Sequence, residues 1–178
     1  MDAMIGERTL AQAKELLDVL TAAMLTVATA ESCTGGLVAA SLTHHAGSSA
    51  SVLGGAVTYS NAMKHELLGV EMTLFDRVGA VSPDVAAAMA DGALERSGAD
   101  LAVSTTGIAG PGGGSQDKPV GLVWFGISAR GMQTRTRSMV LPGDRAGIRE
   151  AAVREALTML RQAADEVSQS DRPASSPL

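Results

Sequence analysis

Apolar positions along this chain recur first at helical and then at strand spacing. Leu10, Ala13, Leu16, Leu17 and Leu20 share one helical face, with Lys14, Glu15 and Asp18 opposite, which predicts an amphipathic helix over residues 8–22. Thr26 to Ala30 is short and β-branched, read as a strand, and enters Glu31-Ser32-Cys33-Thr34-Gly35-Gly36. A nearly uncharged helix follows over 37–44, then a second strand over 51–59 and a short helix over 62–68. Ser82-Pro83-Asp84 is a helix start: a capping hydroxyl, proline at the first helical position and an acid facing the dipole. That helix runs to about Ser97 and stops at Gly98. Residues 101–105 predict a third strand, feeding Gly107-Ile108-Ala109-Gly110-Pro111-Gly112-Gly113-Gly114. Two more strands, 120–129 and 133–140, are joined through Arg130-Gly131 as a hairpin. From Asp144 the spacing of Ile148, Ala152, Ala156, Met159 and Ala163 marks a long last helix, and residues 169–178 read as a frayed tail.

Alternating strands and helices that end in a hairpin predict a three-layer α/β/α sandwich on a mixed sheet of about five strands. There is no internal repeat or linker, so residues 1–168 are expected to form one domain. The chain's 178 residues suit one domain on the ~100–200-residue prior.

Apolar residues make up 46% of the chain, enough for a core and too many for disorder. Aromatics are 2%, namely Tyr59, Phe75, Trp124 and Phe125, too few for the stacking platforms of single-stranded nucleic-acid binders. A net charge of −5 argues against a phosphate-backbone partner as well. A lone cysteine, Cys33, excludes an internal disulfide framework and a cysteine-rich zinc site. Neither a signal peptide nor a membrane span is legible, and a cytoplasmic location is expected.

Charge is missing in two stretches, and these are where chemistry is sought. No Asp, Glu, Lys or Arg occurs from Ser32 to Met63, a run that ends at Lys64, nor from Leu101 to Gln116. A lysine at the edge of so neutral a region is a candidate for desolvation, which lowers the pKa; the alternative is a surface lysine on a short helix. Ser32 lies where a strand meets a helix, a junction that can expose a nucleophile and aim backbone N–H groups at an anion. Equally, Ser32 or Thr34 can simply cap the helix. Cys33 competes as nucleophile, since a helix N-terminus favours thiolate, but buried inert cysteines are common. The glycine loop matches neither the P-loop nor the dinucleotide fingerprint, although consecutive glycines can turn several N–H groups toward an anion. His44, His45 and His65 are too few and wrongly spaced for a metal site. Arg145 falls in the first turn of the last helix, where a cation opposes the macrodipole; either Asp144 or a bound anion would remove the conflict.

Several segments, in order over residues 8–165, resemble the CinA C-terminal domain family. They are Ala30-Glu31-Ser32-Cys33-Thr34-Gly35-Gly36, Val57-Thr58-Tyr59-Ser60-Asn61 with Lys64, Gly79-Ala80-Val81-Ser82, Thr106 through Gly113, Lys118-Pro119-Val120-Gly121 and Gly143-Asp144-Arg145. The resemblance implies a stand-alone nicotinamide-nucleotide amidohydrolase with a three-layer α/β/α fold. Such an enzyme hydrolyses nicotinamide mononucleotide to nicotinic acid mononucleotide and ammonia, in pyridine-nucleotide recycling. It implies a Ser32–Lys64 catalytic pair supported by Tyr59 and Thr106. Substrate contacts are expected from Glu31, Thr34, Gly35, Gly36, Gly107, Ile108, Ala109, Gly110 and Arg145. It further implies no cofactor or metal, no nucleic-acid or membrane partner, and a homodimer or higher homo-oligomer. Two other readings stand beside it: a non-catalytic nucleotide-binding or regulatory domain, and an amidase or esterase for another small metabolite.

Overall fold

The computed structural model describes residues 5–170. In chain order the main elements are α1 (Glu7–Ala22), β1 (Val27–Glu31), α2 (Leu37–Thr43), β2 (Val52–Val57), α3 (Asn61–Leu68), α4 (Met72–Val78), α5 (Pro83–Ser97), β3 (Leu101–Gly107), β4 (Leu122–Ala129), β5 (Arg135–Val140) and α6 (Arg145–Ser170). A 3-10 turn, Ser48–Ala50, precedes β2. The five strands form one sheet in the order β2-β1-β3-β4-β5. β1, β2 and β3 run parallel, whereas β4 is antiparallel to β3 and β5 to β4. The expected mixed sheet is therefore present.

Alternation of side chains along the strands splits the core in two. Val27, Val103, Val123 and Phe125 face α1, α2 and α6, meeting Leu16, Leu20, Val38, Leu42, Ile148 and Leu157. Ala30 and Ala102 face the other layer and pack on Leu68, Phe75, Val85 and Met89. These strands are buried on both faces, which is why they read as apolar runs rather than as alternation. Small residues let the second layer come close. A Cβ on Gly126 would collide with the Ala86 carbonyl, and one on Gly92 with the Leu68 carbonyl.

Local signals place several element ends. Ser82 Oγ accepts from the Val85 N–H at 3.3 Å with proline next to it, and Gly98 closes α5 at φ +69°. Asp144 Oδ1 accepts from the Gly147 N–H at 2.9 Å and so caps α6. Two expectations are corrected. Helix α4 was not foreseen, and β4 begins at Leu122 rather than at residue 120 because Gly121, at φ +95°, turns the chain before it. Helix α6 extends through Ser170, and the rest of the expected tail lies outside the described residues. Among the described residues no helix is long and apolar enough to cross a membrane.

The topology itself marks out a site. From β1 the chain goes through α2 to β2 on one side, then returns through α3, α4 and α5 to β3 on the other. Open α/β sheets bind ligands outside the carboxyl ends of the strands where the strand order reverses in this way. Ser32 follows β1, Tyr59 follows β2 and Ile108 follows β3, so the carboxyl ends of all three parallel strands converge there.

Candidate active site

Ser32 stands one residue beyond β1. Its N–H donates to the Thr105 carbonyl at 2.9 Å and its carbonyl accepts from Gly35 N–H at 3.1 Å, closing a tight turn. Gly35 and Gly36 continue that turn at φ +60° and +92°, a left-handed path that glycine takes without steric penalty.

Neither Ser32 nor Thr34 caps the helix behind this turn; Glu31 does. Its carboxylate, 1% exposed, accepts from the N–H groups of Gly36 (3.0 Å), Val38 (3.1 Å) and Ala39 (2.8 Å), and from Thr34 Oγ1 (2.6 Å). An anion at a helix N-terminus satisfies both its orphan donors and its dipole. The free N–H groups of α2 are thus occupied from within, and the expectation that they face a developing anion is corrected. Removing the carboxylate orphans several buried donors, each costing about 1–3 kcal/mol. Glu31→Ala is expected to lower the denaturant midpoint by the equivalent of several kcal/mol; a midpoint near that of the parent protein would refute the capping role.

Lys64 approaches Ser32 from α3. Ser60 caps that helix, its Oγ accepting from Met63 N–H at 3.1 Å, and Gly69 ends it at φ +71°. This short helix aims the lysine back under the sheet, where it is 1% exposed and among the largest fully buried side chains. Lys64 Nζ lies 3.1 Å from Ser32 Oγ and donates to the Thr58 carbonyl at 2.8 Å, with the Tyr59 carbonyl at 3.5 Å. With burial disfavouring the ammonium, its pKa is lowered from the ordinary lysine value. A Cys33 thiolate would act the other way. However, burial pushes the Cys33 thiol up to about 12, so that thiolate is absent at neutral pH. The same shift argues against Cys33 as nucleophile, because the reactive species is the thiolate.

Ser32 and Lys64 open into a cleft of about 300 Å³ that also includes Tyr59, Thr106, Arg145 and the loop from Gly107 to Gly113. Its lining contains no carboxylate. Thr106 is buried, its Oγ1 donating to the Ala80 carbonyl at 2.8 Å. Arg145 bridges the rim: Nη1 donates to the Gly110 carbonyl at 2.9 Å and Nη2 to the Tyr59 hydroxyl at 3.1 Å. Asp144, engaged as the α6 cap, forms no ion pair with it. The loop's Ala109, Gly110, Gly112 and Gly113 N–H groups have no partner among the described residues.

The structure therefore brings together Ser32, Lys64, Tyr59, Thr106, Gly107, Ile108, Ala109, Gly110 and Arg145. It leaves Glu31, Thr34, Gly35 and Gly36 outside the cleft lining. Glu31 and Thr34 are turned into the protein as the cap and its partner, and Gly36 N–H is spent on that cap. Asn61 joins the lining unforeseen; its spacing three residues before Lys64, on one helix face, was the available signal. His45 and His65 are each tied to a backbone carbonyl, of Leu10 and Val70, at 2.8 and 2.9 Å. Among the described residues no group of three or more His, Cys, Asp or Glu side chains is placed to hold a metal. A larger hollow, about 530 Å³, runs between α1, α6 and β5, but it is lined by Arg8, Glu15, Arg154 and Glu155, and the hydroxyl of Thr158 in it is tied to Gln12 and the Arg154 carbonyl.

Comparison with known proteins identifies the family and the fold. A CinA-like protein of Mycolicibacterium vanbaalenii is 58% identical over 137 residues, covering 77% of this chain and 32% of the relative. One from Akkermansia muciniphila is 52% identical over 139 residues, covering 78% and 34%. The chain thus spans about a third of the length of these curated relatives. The competence/damage inducible protein CihA from Agrobacterium tumefaciens superposes with a TM-score of 0.87 at 46% identity, covering 93% of this chain and 99% of that one. A CinA superfamily protein from Escherichia coli gives 0.83 at 37%, covering 89% and 93%. The model of the CinA C-terminal domain matches residues 9–164, and this chain belongs to that family.

Proposed function

We propose that this domain hydrolyses the carboxamide of nicotinamide mononucleotide, giving nicotinic acid mononucleotide and ammonia, with Ser32 as nucleophile and Lys64 as base. The observation that carries the reading is a lysine amine, 1% exposed, 3.1 Å from a serine hydroxyl at the mouth of a small cleft. A neutral amine has two N–H groups and one lone pair. The Thr58 and Tyr59 carbonyls take the N–H groups, which turns the lone pair toward Ser32 Oγ.

Lys64 takes the Ser32 proton as Oγ attacks the amide carbonyl. The resulting oxyanion is left to the backbone N–H groups that no oxygen engages, those of Cys33 beside the nucleophile and of Ala109, Gly110, Gly112 and Gly113, because Ser32 N–H and the α2 donors are already taken. The C–N bond then breaks, the Lys64 ammonium returns its proton to the leaving nitrogen, and ammonia departs from a nicotinyl ester on Ser32. Water adds to that ester, giving its proton to Lys64, which hands it back to Ser32 Oγ as the acid leaves. Ser–Lys is a recognised variant of the Ser–His–Asp arrangement. A cleft of about 300 Å³ is at the small end of the ~300–1,000 Å³ usual for ligand sites, which favours a mononucleotide over a larger substrate.

Ammonia release from nicotinamide mononucleotide, beside a panel of other amides and esters, tests this directly. Turnover of another amide but not of the nucleotide assigns a different metabolite, and binding without turnover assigns a non-catalytic domain.

Arg145 uses two of its five N–H donors on the protein, and with no carboxylate in the lining it is the cleft's permanent cation. A charge-assisted contact to the nucleotide phosphate is worth about 1.5–3 kcal/mol, or roughly 10–150-fold in affinity. Arg145→Ala is expected to raise KM for the mononucleotide more than it lowers kcat. Nicotinamide riboside, lacking the phosphate, should be a poor substrate for both proteins. An equal loss on both substrates would refute phosphate contact.

A further inference from the structure

Arg149 sits one helical turn beyond Arg145 on α6 and reaches the back of the nucleophile turn. Its Nη2 donates to the Thr34 carbonyl at 2.8 Å, and a Cβ added to Gly35 would come within 3.1 Å of that nitrogen. Its Nε is buried without a hydrogen-bond partner, and no carboxylate lies within ion-pair distance among the described residues. An arginine on a helix surface ordinarily carries its guanidinium out to water. Here a half-buried guanidinium turns back toward one carbonyl.

That carbonyl belongs to Thr34 inside the turn, and the Leu37 N–H also donates to it at 3.4 Å. Thr34 Oγ1 donates to Glu31 at 2.6 Å and lies 2.7 Å from Thr105 Oγ1. Thr34 is thus gripped from β1, β3 and α6 together. Ser32, two residues before it, is anchored at its own N–H by Thr105 and at its carbonyl by Gly35. Two left-handed glycines follow, so the segment has no stiffness of its own and depends on these clamps.

We infer that Arg149 is a positioning residue for Ser32: by holding the Thr34 carbonyl it fixes the turn that keeps Ser32 Oγ against Lys64 Nζ. The inference rests on reading Ser32 and Lys64 as nucleophile and base. It assigns Arg149 an effect on the rate of bond formation at Ser32 and none on substrate affinity.

The test compares the parent protein with Arg149→Met and Arg149→Lys, using two readouts. The first is kcat and KM for ammonia release from nicotinamide mononucleotide. The second is the rate at which an alkyl fluorophosphonate modifies Ser32, followed by intact mass. In that step Ser32 Oγ bonds to phosphorus, fluoride leaves and Lys64 takes the hydroxyl proton, so no natural substrate is needed. A misplacement of about 1 Å costs roughly 10²-fold in rate. Arg149→Met is expected to lose about that factor in both kcat and labelling, with KM unchanged within twofold. Arg149→Lys, which can still offer one N–H to the Thr34 carbonyl, should recover most of both rates. Should the methionine variant fail to fold, Arg149→Gln, too short to reach Thr34, replaces it with the same expectation. Parent-like labelling and kcat in a folded Met or Gln variant would overturn the inference, and so would a rise in KM with kcat preserved. A parent protein that is labelled at Ser32 but releases no ammonia refutes the substrate reading alone, and labelling then decides the role of Arg149. A parent protein that shows neither reaction refutes both.

Discussion

Ser32→Ala is expected to abolish ammonia release from nicotinamide mononucleotide, while Cys33→Ser keeps most of it. The two side chains are adjacent and both line the cleft, so sequence position alone does not separate them. Their environments do. Ser32 Oγ has the buried Lys64 amine 3.1 Å away, whereas burial pushes the Cys33 thiol up to about 12. Loss of the nucleophile from a comparable hydrolytic pair removes on the order of 10⁶-fold in kcat, because the remaining groups act only as a unit with it. Cys33→Ser swaps a buried thiol for a hydroxyl, so a modest drop in thermal midpoint should accompany near-parent kcat. The converse pattern, an active Ser32→Ala and an inactive Cys33→Ser, would reverse the assignment and with it the role given to Lys64.

Much of the fold was legible because its signals are local. The Ser82-Pro83-Asp84 start and the Gly98 stop of α5 depend only on neighbouring residues, and both fall where the chain announces them. The period-3.6 apolar stripe of α6, from Ile148 to Ala163, is buried as the spacing implies. Helix α4 escaped for the same kind of reason. Glu71 ahead of it makes no side-chain cap, and Phe75 is the helix's one buried residue, so seven residues carry almost no periodic signal. The strand order was not legible beyond the β4–β5 hairpin, because parallel pairing joins segments far apart in sequence.

The site divides along the same line. An uncharged run ending at Lys64 pointed to a desolvated lysine, and Lys64 is buried at that place. That Ser32 is its partner came from the ordered motifs of a family, since 32 residues of spacing encode no contact. Glu31, expected from the resemblance to contact substrate, is turned away from the cleft lining as the cap of α2. Its actual partners lie five to eight residues on, and they meet it only after the turn has folded α2 back over β1. Arg149 was invisible for a related reason: its target, Thr34, is a backbone carbonyl, which no side-chain pattern reports.

The lysine carries the other large effect. Since burial lowers the Lys64 pKa, the rate of ammonia release should rise with pH through an ionisation below the ordinary lysine range and then level off. The acid limb is the protonation of the base, and it should vanish from the profile when the amine is removed. Lys64→Arg preserves charge but has no accessible neutral form, and it should be inactive at every pH. Lys64→Met should be equally inactive and yet more stable than the parent protein. In the parent protein the folded state binds the Lys64 proton more weakly than the unfolded chain does. Between the lowered value and 10.5 the unfolded chain therefore holds a proton that the folded one has lost, and stability rises with pH across that window. Below the window both states are protonated and the full penalty of a buried ammonium applies. Methionine fills similar volume without that penalty, so Lys64→Met is expected to unfold at a higher temperature than the parent at neutral pH, by a margin that shrinks as the pH approaches 10.5. An active Lys64→Arg, or a parent rate flat from mildly acidic to alkaline pH, would remove the lysine from the mechanism. A methionine variant that is inactive and less stable would instead place Lys64 among the residues that hold the fold, through its bond to the Thr58 carbonyl.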